Sequence, residues 1–449
     1  MSNHLNPSDI KAWTRRDFLQ SSAMFASAAL TVPAFVQSSA LALPRPMMGL
    51  RSIAGVDEDR ILVVIQLSGG NDGLNTLVPY GDDAYQRVRP RIALSANEVL
   101  MLNRNGGLGL HGSMSGFKEL YDEGMCAIVQ GVGYPNPNRS HFASMDIWHT
   151  ADTAGTGDGW LGKYVDSQCC GYGSGTPGAK ASTNQAQSDP PPPLIAIGKT
   201  APLALHGRTM MPVAIESADM YQWTGEKMGK DLNKAYIGSI EDRSEADMAS
   251  GAEDNKSFLV RTAMDAQVSS KKIRKAVDAE SLVQYPNSQL ANQLSMVASM
   301  IRAGMPTRVF YVSHGSFDTH ANQGGAQGTH ARLLQQLSEA VGAFYKDLKA
   351  QGNEGRVLSS CFSEFGRRVG QNGSGGTDHG TAAPMFLFGP MVKPGLHSRY
   401  PSLTNLDNGD LKYTVDFRQV YAEVLDEWLS APSKEVLGRG YKHLRVLKS

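Results

Sequence analysis

Cysteine is scarce, with four in 449 residues, so no dense disulfide framework holds this chain together. Charge of one sign is missing too. Forty-three basic residues balance 43 acidic ones, which leaves no electrostatic footprint for nucleic acid. No apolar run reaches the roughly 20 residues of a membrane span. The 47 glycines have no three-residue period, which excludes collagen. What is present is ordinary globular material, 41% hydrophobic and 19% charged, enough for a sizeable core.

The first 42 residues read as a targeting segment. Arg15 and Arg16, followed by Phe18 and Leu19, precede an apolar stretch from Ala23 to Val36, and Ala40-Leu41-Ala42 supplies a small-x-small cleavage site. At about 14 residues the apolar stretch is too short to span a membrane. The pattern resembles a twin-arginine export signal, so the expected location is periplasmic or extracellular, with no membrane span in the mature chain. That destination permits disulfides. Cys126 and Cys361 nevertheless lie in apolar runs and read as buried thiols.

Beyond the signal, strands alternate with helices. Apolar runs at Arg60–Leu67, Met125–Gln130, Thr307–Ser313, Arg356–Ser363 and Pro384–Phe388 have the continuous hydrophobicity of buried parallel strands. Between them, Leu290, Leu294, Val297 and Ile301 keep one helical face, as do Leu334, Leu337, Val341, Phe344 and Leu348. Val420, Val424 and Trp428 mark a last helix. The expected architecture is one α/β domain, a three-layer sandwich around a mostly parallel central sheet. The Gly-, Ser- and Pro-rich stretch 169–193 reads as a loop insertion, and 205–285 as a peripheral helical region.

Sites in open α/β sheets form beyond the carboxyl ends of the strands, and polar residues gather there. Ser68-Gly-Gly-Asn-Asp72 follows the first strand, Arg139-Ser140-His141 the second, Asp318-Thr-His320 the third and Glu364-Phe-Gly-Arg367-Arg368 the fourth. Asp378-His379 precedes the fifth. Each has a bland account: Asp72 as a helix cap, Asp318-Thr-His320 as a turn, Glu364 in an ion pair with the arginines. Taken together they predict one cleft, and imidazoles mixed with carboxylates suit a divalent transition metal.

A resemblance then appears. The run Val-Val-Ile-Gln-Leu-Ser-Gly-Gly-Asn-Asp-Gly-Leu-Asn at 63–75, Arg-Ser-His-Phe-Ala-Ser-Met-Asp-Ile-Trp at 139–148 and Gly-Trp-Leu-Gly at 159–162 carry it. So do Ser-Phe-Asp-Thr-His at 316–320, Phe-Ser-Glu-Phe-Gly-Arg-Arg at 362–368 and Gly-Thr-Asp-His-Gly-Thr-Ala-Ala-Pro at 376–384. Together they resemble the exported bacterial family known as domain of unknown function 1501, which more distantly resembles the alkaline phosphatase and sulfatase superfamily. That resemblance implies an alkaline-phosphatase-like fold, one or two divalent metals (zinc, manganese or calcium) and a phosphate, sulfate or other anionic ester as substrate, small or polymeric. By position it implies metal ligands at Asp72, Asp318, His320, Glu364, Asp378 and His379, with Asp318, His320 and His379 making the first site. It also puts His141 at the nucleophile's place beside Ser140, with Arg139 to hold an anion. The chain departs from the superfamily where Phe365 replaces an imidazole and His141 a hydroxyl. An exported binding or assembly protein without catalysis is therefore the alternative expectation.

Overall fold

The structure is a computed structural model describing residues 60–102, 106–170, 194–208, 212–216, 273, 275–277 and 280–448. The chain divides into two units, Met1–Leu43 with Tyr221–Lys271 and Pro44–Met220 with Lys272–Ser449. Every described residue belongs to the second. The signal segment, the 171–193 part of the loop insertion and most of 205–285 lie outside the described residues.

Nine strands form the central sheet: β1 Ile61–Leu67, β2 Cys126–Gly133, β3 Leu194–Ile197, β4 Val213–Ile215, β5 Val309–His314, β6 Val357–Ser363, β7 Ala383–Phe388, β8 Gly395–His397 and β9 Val415–Asp416. Their order is β8-β2-β7-β6-β1-β5-β3-β4, with β9 also beside β2. β1 pairs in parallel with both β5 and β6, in register Val63↔Phe310 and Val63↔Ser359. Only β7 runs against its neighbours β2 and β6, so the sheet is mostly parallel. β3 and β4 are too short to announce themselves by periodicity. β4 also puts a strand inside the stretch read as helical, at the sheet's outer edge.

Both faces of the sheet are covered, which is why the strands read as continuous apolar runs. On one face Leu62, Val64, Tyr311, Phe362 and Leu387 meet helices α2 His141–Thr150, α3 Trp160–Cys170 and α6 Phe417–Glu423. Trp148 stacks between Phe362 and Phe417, with ring centroids 4.8 and 4.3 Å away, and Trp160 stacks on Tyr421 at 4.1 Å. On the other face, Phe117 of α1 Ser115–Asp122 packs edge-on to Phe386 and Phe388. There α5 Thr329–Gln351 hydrogen-bonds the sheet through Tyr345, whose hydroxyl donates to Phe388 O and lies 2.9 Å from Ser359 Oγ. Gln293 of α4 Gln289–Arg302 accepts from Ser313 N. The result is a three-layer α/β sandwich. Cys126 and Cys361 are free thiols buried in β2 and β6, and burial raises both far above the usual thiol range. Among the described residues no helix is long and apolar enough to cross a membrane.

One imidazole is trapped within this packing. His149 Nε2 lies 3.2 Å from Tyr311 Oη and 3.4 Å from Gln66 Oε1. Burial disfavours its charged form, and nearby His206 adds to the effect, lowering its pKa to about 4. The unfolded chain takes up this proton near pH 6.5 and the folded chain only near 4, so His149 stabilises the fold fully above 6.5 and loses that contribution as pH falls from 6.5 to 4. The thermal midpoint of His149→Gln, followed by calorimetry, is expected to fall less steeply than wild type across that window. Parallel curves for the two proteins would contradict the assignment.

Candidate metal centre

The single antiparallel strand explains why five chain segments meet. The residues preceding β7 lie at the same edge of the sheet as the residues following β1, β2, β5 and β6. Asp378 and His379 thus arrive from the amino end of one strand and face groups arriving from the carboxyl ends of four others.

Three imidazoles converge there on one carboxylate. His379 Nε2 and His320 Nε2 each lie 3.1 Å from Asp318 Oδ1, and His141 Nε2 lies 3.6 Å from it. Ligand atoms of His141, Asp318 and His379 all fall within 4.8 Å of one another, and His320 Nε2 is 2.9 Å from His379 Nε2. The opposite nitrogen of each ring has its own acceptor. His141 Nδ1–H donates to Glu364 Oε1 at 2.8 Å, His320 Nδ1–H to Asp378 Oδ1 at 3.2 Å, and His379 Nδ1–H to the Arg139 carbonyl at 2.8 Å. With the protons held on Nδ1, all three Nε2 lone pairs point inward. Metal-binding histidines are built this way, the outer N–H anchored to a carboxylate or carbonyl.

The inner geometry fits a divalent cation. His141 Nε2 is buried without a hydrogen-bond partner, and buried polar atoms are rarely left so. Two imidazole lone pairs 2.9 Å apart repel unless a proton or a cation lies between them. Adjacent ligands of a tetrahedral zinc are about 3.3 Å apart, given bonds of about 2.0–2.1 Å, close to the separations here.

Local backbone makes the convergence possible. The 68–72 turn passes so close to the β5 loop that a Cβ on Gly69, at φ +118°, would lie 2.5 Å from Asp318 N. A Cβ on Gly376 would lie 2.3 Å from the His320 carbonyl carbon. Beneath them Arg367 is fully buried. Its guanidinium donates to Gly70 O (2.6 Å), Thr377 O (3.0 Å), Phe317 O (3.1 Å) and Gly69 O, and to Asp318 Oδ1 at 2.6 Å. Burial opposes ionisation of Asp318, but the Arg367 hydrogen bond and charge outweigh it and hold the carboxyl at about 2. Asp378 is also lowered, first by its hydrogen bond from Asn372.

The structure redistributes the roles read from the sequence. Glu364 and Asp378 stand behind His141 and His320 rather than facing the centre. Glu364 is committed on both oxygens, Oε1 to Gly69 N and His141, Oε2 to Ser363 Oγ. His141, at the place where the resemblance suggested a nucleophile, brings its Nε2 into the cluster as a candidate ligand atom. Asp72 is not part of the cluster: fully buried, it caps Leu74 N and pairs with Arg89 Nη1 at 2.6 Å. Burial raises its pKa, yet the Arg89 charge and hydrogen bond hold it below the usual range. Here the helix-cap account of Asp72 describes the geometry. The ion-pair account of Glu364 does not, because Arg367 pairs with Asp318. The Arg139 guanidinium, partly exposed, pairs with Asp410, and Arg368 Nε lies 3.9 Å from the same carboxylate. Ser140 is exposed at the start of α2, and its N–H donates to Asn138 Oδ1. Arg367, Gln323, Asn372 and Arg89 carry site contacts that sequence reading did not assign. Arg367 alone left a trace, as a strand-end arginine.

Fold and site define an α/β protein with a histidine–aspartate cluster at the carboxyl edge of its sheet. The chain belongs to the family described as Protein of unknown function (DUF1501), whose model matches residues 128–436. No curated protein matches it. Solved structures on which it superposes include Ps i-CgsB in complex with k-i-k-neocarrahexaose and the PsFucS1 sulfatase from Pseudoalteromonas sp. Each has a TM-score of 0.36 and 10% identity, covering 87% of this chain and 74% of the other. Another is the lipoteichoic acid synthase LtaP from Listeria monocytogenes, with a TM-score of 0.29 and 10% identity, covering 78% and 71%.

Arg367 offers a direct test of the site's support. Arg367→Met leaves the buried Gly69, Gly70 and Thr377 carbonyls without their donor and the Asp318 carboxylate without its counter-charge, while Phe317 O keeps only Thr319 N–H. Urea denaturation is expected to show a loss of about 3–5 kcal/mol. A loss below about 1 kcal/mol would mean the guanidinium does not hold these loops together.

Proposed function

We propose that this protein is an exported, metal-dependent hydrolase of a phosphate, sulfate or other anionic ester. The observation that carries the reading is the set of three Nε2 lone pairs turned onto Asp318, each ring fixed through its other nitrogen. His141, His379, His320 and Asp318 hold the ion. Zinc suits this imidazole-rich set better than calcium, which favours all-oxygen ligands. When bound, a divalent metal polarises an ester oxygen and stabilises charge that develops on it. Glu364, Asp378 and the Arg139 carbonyl keep the protons on the outer nitrogens and orient the rings. Arg367 offsets the Asp318 charge from below, limiting the site to one firmly held cation. Arg139 and Arg368 put two partly exposed guanidiniums at the rim, where a planar, charged fork suits a phosphate or sulfate group.

The non-catalytic alternative is favoured by a different observation. Among the described residues no hydroxyl or thiol hydrogen-bonds any of the three imidazoles, whose partners are carboxylates, a carbonyl and each other. Ser140, exposed next to His141, is the hydroxyl nearest in sequence.

Elemental analysis of protein purified without chelator is expected to find one divalent metal per wild-type chain and sharply less in His141→Ala and His379→Ala. Equal content in all three, or none in the wild type, would sink the metal reading. With metal present, turnover of an aryl phosphate or aryl sulfate that disappears in His379→Ala supports the hydrolase. Metal retained without turnover of either ester favours the binding protein.

Export by the twin-arginine route belongs to the same proposal, since that route carries proteins already folded. Full-length Arg15→Lys/Arg16→Lys protein is expected to stay in the cytoplasm on fractionation. Its appearance in the periplasm at wild-type levels would refute the route.

A further inference from the structure

Sequence reading made Asp72 a metal ligand, and the structure gives it different work that reaches the same site through one amide. Gln323, fully buried, lies between Asp72 and the two loops that carry the cluster. Its Nε2–H donates to Asp72 Oδ2 at 2.5 Å. Its Oε1 accepts from Thr319 Oγ1 at 2.9 Å and from Thr377 Oγ1 at 2.7 Å. Thr319 sits between Asp318 and His320; Thr377 immediately precedes Asp378 and His379. The two threonines also bond directly, Thr377 N–H donating to Thr319 O at 3.2 Å. Gln323's own backbone is tied on both sides, its N–H to Gly375 O and its carbonyl to His330 N.

An amide in this setting has one orientation. The ionised Asp72 carboxylate accepts hydrogen bonds and donates none, so it faces the NH₂ end and turns the carbonyl end to the two hydroxyls. Arg89 fixes that carboxylate, through Nη1 to Asp72 Oδ2 and Asn75 Oδ1, and through Nε to the Val369 carbonyl. The chain Arg89–Asp72–Gln323 therefore ends on two hydroxyls, one between Asp318 and His320 and the other two residues before His379. A slip of either loop would strand a buried hydroxyl or the amide carbonyl without its hydrogen-bond partner.

We infer that Gln323, oriented by the Asp72–Arg89 pair, is a positioning residue that sets the spacing of the Asp318–His320 and Asp378–His379 loops and thereby the affinity of the metal centre. The inference rests on the metal reading above. Arg367 holds the same loops by their backbone carbonyls from beneath. Gln323 holds them by side chains from the flank, so losing it leaves the fold intact and loosens the ligand spacing.

The test uses the full-length protein, stripped with chelator and titrated with cobalt(II), read by its visible d–d bands, with zinc affinity obtained by competition. Gln323→Met keeps the bulk and removes all three side-chain hydrogen bonds. It is expected to bind both metals about 10- to 100-fold more weakly than wild type, with shifted cobalt bands. Far-ultraviolet circular dichroism should be unchanged. Thr377→Val, which removes one hydroxyl and leaves Gln323 in place, is expected to weaken binding in the same direction with the same band shift. It serves as the deciding variant if Gln323→Met does not fold. Wild-type affinity and wild-type bands in whichever of the two folds would overturn the positioning role while leaving the metal reading standing. Wild-type protein that takes up neither metal would instead overturn the metal reading, and this inference with it.

Discussion

The buried guanidinium of Arg367 is the contact on which the site's existence depends. One planar cation, with five N–H groups in a fixed fork, reaches carbonyls of the 69–70 turn, of Phe317 and of Thr377, and the carboxylate of Asp318. These belong to the segments following β1 and β5 and preceding β7, and Arg367 itself follows β6. Loops this close would leave carbonyls facing one another without water. A delocalised cation at the junction satisfies them together, and lysine, with one compact ammonium, has neither the fork nor the reach.

Glycine does the complementary work. Where Arg367 draws backbone together, Gly69 and Gly376 remove the side-chain atoms that would keep it apart. Residues packed at this density transmit displacement, so each ligand's location depends on backbone several residues away. The imidazoles are then aimed by their outer nitrogens. Ring orientation, and not residue identity alone, turns three imidazole Nε2 atoms toward one carboxylate.

The cluster's layout also bears on its chemistry. Each imidazole has a different anchor: a fully buried carboxylate for His141, a half-exposed one for His320 and a backbone carbonyl for His379. A carboxylate anchor makes the ring more electron-rich than a carbonyl does, so the three inward-facing nitrogens are not equivalent. The exposed flank carries Arg139 and Arg368 gathered around Asp410. The protected flank carries Asp72 and Arg89. Polarity thus runs from a sealed, charge-balanced side to an open one rich in arginine.

Local physics determined much of this from the sequence alone. Strands covered on both faces have no polar alternation, so β1, β2, β5, β6 and β7 stand out as apolar runs. Helices covering them keep a stripe at a period of 3.6 residues. Glycine turns followed by acids and imidazoles mark strand ends wherever they occur in the chain. Short edge strands such as β3 and β4 had too few residues to show a period. The division of labour among Asp72, Glu364, Asp378 and His141 was decided only in three dimensions. A carboxylate next to a histidine in sequence, as Asp378 is to His379, anchors a different ring, His320, because the reversed direction of β7 turns that loop across the β5 loop. Gln323 has no sequence signature at all, since an amide acquires its role from the three groups that folding places around it.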